Sequence, residues 1–388
     1  MPFAHLNASL QERSEQGLLR QRRLLESPQG ARVRVDGVDL LSFCSNDYLG
    51  LANHPALIRA ACEGAEKWGV GAGASHLVTG HTQAHHDLES ALARFVGLPA
   101  ALLFSTGYMA NLGIVTALLG RHDAIFSDKL NHASLNDAAQ LSRARLQRYP
   151  HGSLAALEQA LSESKAARKL VISDAVFSMD GDIAPVPALL ALCEKYNAWL
   201  LLDDAHGFGV LGANGRGVLE HFARHSPRII YMATLGKAAG VAGAFVAGDQ
   251  TLIDYLVQHA RSYVYTTATL PLQACALQAS LDLIAREGWR RDRLKQWVVR
   301  LQDGLNFENG RGWHLMPSST PIQPLVIGTS LDAVKISERL LASGILAPAI
   351  RPPTVPQGTA RLRISLSAAH TGEDIDQLAE ALNKLAAT

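Results

Sequence analysis

The sequence has almost no net charge: 36 Lys and Arg stand against 35 Asp and Glu, leaving +1 over 388 residues. So balanced a chain has no general attraction for nucleic acid or an anionic membrane, and any anionic ligand must be held by a local site. Cysteine is scarce as well. The four residues Cys44, Cys62, Cys193 and Cys275 lie far apart with no C-x-x-C pair. That excludes the dense disulfide framework of small secreted domains and points to free thiols in a reducing compartment. No apolar run approaches the roughly eighteen residues of a spanning helix, because Gly, Asp or Arg interrupts the richest segments. The first 25 residues lack a signal-peptide apolar stretch, and their arginines are mixed with Glu12 and Glu15. A cytoplasmic protein, without a membrane or nucleic-acid partner, is expected.

What is present is core-forming material: 48% of residues are hydrophobic and 18% charged. At this length one hydrophobic core stops growing, so a large domain plus a smaller one is expected. A helical pattern over 4–25 precedes short strands at 32–35 and 40–43. Apolar runs at 100–104, 124–127, 170–173, 199–202, 229–233 and 244–247 then alternate with helical patterns at 84–96, 109–119, 154–163, 187–196 and 219–224. Strands without polar alternation are buried on both faces, and strand–helix alternation predicts an α/β fold with a mostly parallel sheet covered by helices. After 270 come two long helices, then strands at 322–327, 344–349 and 361–366 around a helix at 331–342, as in a separate α+β domain. The expected division is 1–44, an N-terminal helix and short strands; 45–285, the large domain; and 286–388, the small one.

Lys237 lies in Ala-Thr-Leu-Gly-Lys-Ala-Ala-Gly-Val-Ala-Gly, between a strand and a glycine-rich stretch. Apolar surroundings lower an amine's pKa, and the glycines let backbone approach a bulky ligand, so a Schiff-base lysine is reasonable. Taken alone, a solvated loop lysine explains it as well. Trp-Leu-Leu-Leu-Asp-Asp-Ala-His delivers Asp203 and His206 at a strand's C-terminal end, where open α/β sheets bind ligands; a turn of solvated acids is the plainer alternative. Ser105-Thr-Gly-Tyr leads into a helix whose first backbone amides can grip an anion or simply be capped. His132 opens a helix, where it can stack on a flat cofactor or serve the structure. His81, His85 and His86 lack a set of partner ligands, and no metal is expected.

Taken together, Thr234-x-x-Lys237, Asp203-x-x-His206, His132, and Ser178 in Val-Phe-Ser-Met-Asp-Gly-Asp resemble the α-oxoamine synthases of pyridoxal-phosphate (PLP) fold type I. The likeness runs from Ser45-Asn-Asp-Tyr-Leu-Gly-Leu to Arg361-Leu-Arg-Ile-Ser. It implies PLP held by Lys237 as a Schiff base, Asp203 on the pyridine nitrogen, His206 at the phenolic oxygen and His132 stacked on the ring. Gly107, Tyr108 and Thr234 would hold the phosphate, with Ser178 beside the cofactor and Thr267 reaching the phosphate of a second subunit, so an obligate homodimer is implied. The Arg351-Pro-Pro-Thr-Val-Pro corner is most similar to the branch that condenses L-alanine with a pimeloyl thioester, on coenzyme A or a carrier protein, in biotin biosynthesis. Arg20, Asn46 and Thr354 would then contact substrate and Arg363 its carboxylate, a role for which Arg361 competes. The segment 71–81 departs from the Gly-Ser-rich form of relatives and receives no role. Sister condensations, of glycine with acetyl- or succinyl-CoA or of serine with palmitoyl-CoA, use the same core residues. A non-catalytic partner subunit is the reading from another class, and the joint presence of Lys237, Asp203 and His132 weighs against it.

Overall fold

A computed structural model describes residues 2–16, 18–19, 22–307 and 312–387. The N-terminal helix is shorter than its leucine pattern suggests, spanning His5–Glu15, and none of its side chains is buried. With Leu6 and Leu10 both about half exposed, no core contact extends it through 25, and Leu25 instead bridges to Val35. A hairpin follows, β1 (Arg32–Val35) against β2 (Val38–Ser42).

The next seven strands form the large sheet: β3 (Ala100–Phe104), β4 (Ala124–Asp128), β5 (Arg145–Tyr149), β6 (Lys169–Asp174), β7 (Trp199–Asp203), β8 (Ile229–Thr234) and β9 (Ala244–Gly248), in the order β3-β9-β8-β7-β6-β4-β5. Only β9 runs against the rest. Successive side chains of a strand point to opposite faces, and here both faces are covered. In β7, Leu200 and Leu202 enter one core, with Phe126, Val171 and Phe245; Leu201 between them enters the other, with Ile125, Ile172 and Ile230. Each fully buried aliphatic side chain stabilises by about 1.5–3 kcal/mol, and these strands read as unbroken apolar runs because neither face meets water. The edge strand β5, Arg-Leu-Gln-Arg-Tyr, exposes three of its five residues and therefore lacks that signature.

The smaller C-terminal part packs a four-stranded antiparallel sheet, β10 (His314–Leu315), β11 (Ile322–Gly328), β14 (Ala360–Ser365) and β13 (Ala349–Ile350), beside the helix Ser330–Ala342. The strand expected over 344–349 is in fact two. β12 (Ile345–Leu346) joins β2 in parallel, whereas β13 pairs with β14. Pro348 between them has no N–H to continue a ladder. No described helix is long and apolar enough to cross a membrane.

Candidate active site

Five parallel strands end on one side of the sheet, and the residues just past those ends line one cavity of about 200 Å³. β3 leads to Gly107 and Tyr108, β4 to His132 and Ser134, and β6 to Asp174, Val176 and Ser178. β7 supplies Asp203, Ala205 and His206, and β8 supplies Thr234 and Lys237. A parallel sheet places its loops this way by construction, which is why ligands gather at carboxyl ends.

Lys237 Nζ lies 2.9 Å from His206 Nε2, and His206 Nδ1 lies 2.7 Å from the Tyr48 hydroxyl. Burial, then the neighbouring Lys237 and Arg363, push His206 well below its ordinary pKa. A neutral imidazole accepting at Nε2 carries its proton on Nδ1, where it donates to Tyr48. Burial also brings the Lys237 amine down to about 8, against the opposing pull of Asp203 and Asp174. Arg363 donates to Ser178 O at 2.5 Å, Ser365 Oγ at 2.8 Å, Asn46 Oδ1 at 3.2 Å and Tyr48 Oη at 3.3 Å. None of these is a carboxylate, so the site holds a buried guanidinium without an anionic partner. Arg361, two residues earlier on β14, is already committed: it pairs with Asp180 and donates to Met179 O.

Asp203 accepts from Asn111 Nδ2 at 2.8 Å and from Ala205 N at 3.1 Å. Asp174, level with it on the adjacent strand, receives the His132 amide at 3.1 Å; burial, then the charge of Asp203, raises its pKa well above the carboxylate range. His132 caps the helix Ala133–Ser142 with its own ring, Nδ1 taking Ser134 N at 3.3 Å, and burial lowers its pKa.

These walls fit PLP. At the start of the helix Gly107–Leu118 the Thr106 side chain caps Met109 N and Thr106 O takes Ala110 N, leaving the Gly107 and Tyr108 amides for an anion at the helix's positive end. A Cβ on Gly107 would come within 2.6 Å of Thr234 Cγ2, so only glycine keeps that cradle open. The phosphate, the ring nitrogen and the aldehyde each have a chemical counterpart in the same cavity: bare amides, the Asp203 carboxylate and the Lys237 amine.

The structure thus brings together Gly107, Tyr108, His132, Ser178, Asp203, His206, Thr234 and Lys237, with Asn46 and Arg363 immediately behind. It does not bring in Thr267 or Thr354, both exposed, and Arg20 lies outside the described residues. Tyr48, Asn111, Ser134 and Asp174 were not singled out from the sequence. Asp174 alone left a signal there, as the acid that ends a buried strand, a feature β6 shares with β4 and β7. The histidines at 76–86 pack on one another and on Tyr263. Burial first, then His85 and His81, lower His76 to about 3, as befits neutral packed rings. Among the described residues, His151, Asp180 and Asp182 have ligand atoms close enough to share an ion, but His151 already bridges Asp128 and Asp182, and Asp180 pairs with Arg361.

Comparison with known proteins gives the family. The aminotransferase class I and II family pattern matches residues 38–382. A Nitrosomonas eutropha protein named 8-amino-7-oxononanoate synthase is 62% identical over 384 residues, covering 98% of each chain. A serine palmitoyltransferase from S. paucimobilis with bound PLP–myriocin superposes with a TM-score of 0.91 at 30% identity, over 99% of this chain and 97% of that one. A Francisella tularensis 8-amino-7-oxononanoate synthase gives 0.77 at 32% identity, over 89% and 97%. The chain belongs to the class I and II aminotransferase family of PLP fold type I proteins, in its α-oxoamine synthase branch alongside the 8-amino-7-oxononanoate synthases.

Proposed function

We propose that this chain condenses L-alanine with a pimeloyl thioester, releasing carbon dioxide and the thiol carrier and forming 8-amino-7-oxononanoate for biotin biosynthesis. One observation carries the reading: a lysine amine of lowered pKa and a carboxylate line one cavity, with a buried guanidinium lacking an anion bonded to the cavity residue Ser178, in a chain 62% identical to a synthase of that name. When bound, PLP supplies an electron sink for negative charge at the amino acid's Cα.

The remaining work falls to the chain. Lys237 would hold the cofactor, and its free amine would take the Cα proton at Nζ, for which a pKa of about 8 is suited near neutral pH. Asp203, fixed by Asn111 and the Ala205 amide, would pair with the ring nitrogen and keep it protonated. His206 would meet the ring's phenolic oxygen, His132 would cover the ring, and Gly107, Tyr108 and Thr234 would hold the phosphate beside Ser178. Arg363, with Asn46 behind it, takes the carboxylate; Arg361 is excluded from that role by its pairing with Asp180. Arg20 and Thr354 contact the acyl substrate.

The protein acts as a homodimer in the cytoplasm, with 45–285 as its large domain and 286–388 as its small one. Exposed Val70, Leu77, Val78, Tyr265 and Leu270 sit on two segments tied by Ala268 N to Ala74 O, an apolar surface suited to a second copy that Thr267 would reach into. Turnover measured with pimeloyl-CoA and each of L-alanine, glycine and L-serine tests the reading. Alanine should give the highest kcat/KM, whereas a preference for glycine or serine would move the chain to a sister activity.

A further inference from the structure

Asn111 and Ser134 have no role assigned from the sequence, yet both are fully buried beside the site. Asn111 Nδ2 has two hydrogens and spends them on Asp203 Oδ2 at 2.8 Å and Ser134 Oγ at 2.9 Å. Turning the amide over would set Oδ1 against a carboxylate, acceptor against acceptor, so the donor direction is fixed. Oδ1 itself has no hydrogen-bond partner, a cost that the two donated bonds must offset. His132 Nδ1 must accept from the Ser134 backbone amide, which can only donate, so the Ser134 hydroxyl, 2.8 Å from the same nitrogen, donates to it while accepting from Asn111. With two donors aimed at Nδ1, the imidazole's proton has to sit on Nε2.

We propose that Asn111 and Ser134 are positioning residues that fix His132 as the Nε2–H tautomer, so that it meets the amino-acid substrate as a hydrogen-bond donor from Nε2 while the same amide group locks Asp203. A single chain of bonds, Asp203–Asn111–Ser134–His132, thereby sets the acceptor at one side of the cavity and the donor at another. Ser134 adds nothing to the chemistry except through His132. This rests on the proposed function, since it assigns a task to His132 in the same cavity.

The experiment uses PLP-loaded protein. Wild type, Ser134→Ala, Ser134→Thr, His132→Asn and the double variant Ser134→Ala/His132→Asn are compared for cofactor affinity and for L-alanine binding, read from the cofactor's visible spectrum between pH 6 and 9. Ser134→Ala should weaken alanine binding roughly ten-fold, the worth of one hydrogen bond to a strongly polar group, and change its pH dependence, leaving cofactor affinity within about two-fold. Ser134→Thr, which keeps the hydroxyl, should restore wild-type binding. In the His132→Asn background the Ser134→Ala change should have no further effect, because the interaction it removes is already gone.

An unchanged Ser134→Ala protein would overturn the proposal. So would equal losses from Ser134→Ala in both backgrounds, or a loss of cofactor affinity that threonine does not restore, since either makes Ser134 merely structural. A wild-type protein that takes up no PLP would contradict the proposed function itself, a result distinct from the other three.

Discussion

Two clusters of charge flank the short loop 177–182, and they are built on opposite plans. On the cavity side, Lys237, Asp203, Asp174, His206 and Arg363 lie close together with capacity left over: the amine is depressed, one carboxyl is raised, and the guanidinium has no carboxylate partner. On the far side every charged side chain has a partner of opposite sign. Arg361 pairs with Asp180, and His151 holds Asp128 at 3.0 Å and Asp182 at 3.0 Å. The same residue types make a reactive site where pairing is incomplete and a structural clamp where it is complete. Burial is costly for an unpaired charge, so the incomplete cluster is stable only because hydrogen bonds to Ser178 O, Tyr48 and Asn111 satisfy what a ligand will later use.

That contrast can be broken in four places. Lys237→Ala should reduce turnover on the order of 10⁴-fold or more, in steady-state assays of PLP-loaded protein, while leaving the unfolding midpoint near that of the parent. Arg361→Ala should do the reverse: it strands Asp180, costs about 3–5 kcal/mol in urea unfolding, and spares the affinity for alanine in whatever fraction stays folded. Arg363→Ala should lower kcat/KM for alanine roughly ten- to a hundred-fold with little change in the urea midpoint, its partners being neutral groups. If the two arginine variants exchanged phenotypes, the distinction between site and clamp would fail.

The smallest effect belongs to His151. Its hydrogen bonds to Asp128, then Asp182, raise its pKa from 6.5 to about 10. A histidine raised in the folded state stabilises fully below its unfolded pKa, and that contribution fades as pH rises through the folded value. His151→Ala should therefore cost about 2 kcal/mol near pH 6 and progressively less towards pH 10, measured by urea midpoints across that range. A penalty that grows with pH would show that the pair is not charged as described.

How much of this was legible in the sequence follows from where each signal resides. The buried strands announce themselves, since double-sided burial demands apolar residues at every position; β7 is Trp-Leu-Leu-Leu-Asp. The edge strand β5 and the split 344–349 segment do not, because an exposed edge tolerates arginine and a two-residue strand has no period to detect. Lys237, Asp203, His206 and His132 could be singled out because each lies where an apolar strand gives way to a loop. Tyr48 and Asn111 could not. Their importance comes from partners 158 and 92 residues away, and only the folded chain brings those together. Arg361 and Arg363 are equivalent on paper and share a face of β14; their partners separate them, Asp180 for the first and neutral groups for the second.

The central claim is that the cavity at the strand ends holds PLP on Lys237. Reducing the PLP-loaded protein with borohydride, digesting it and locating the modified peptide by mass spectrometry tests it directly. The account predicts one stable pyridoxyl adduct, on Lys237, in near-stoichiometric yield. An adduct on another lysine, or none on a protein that still turns over alanine, would contradict it.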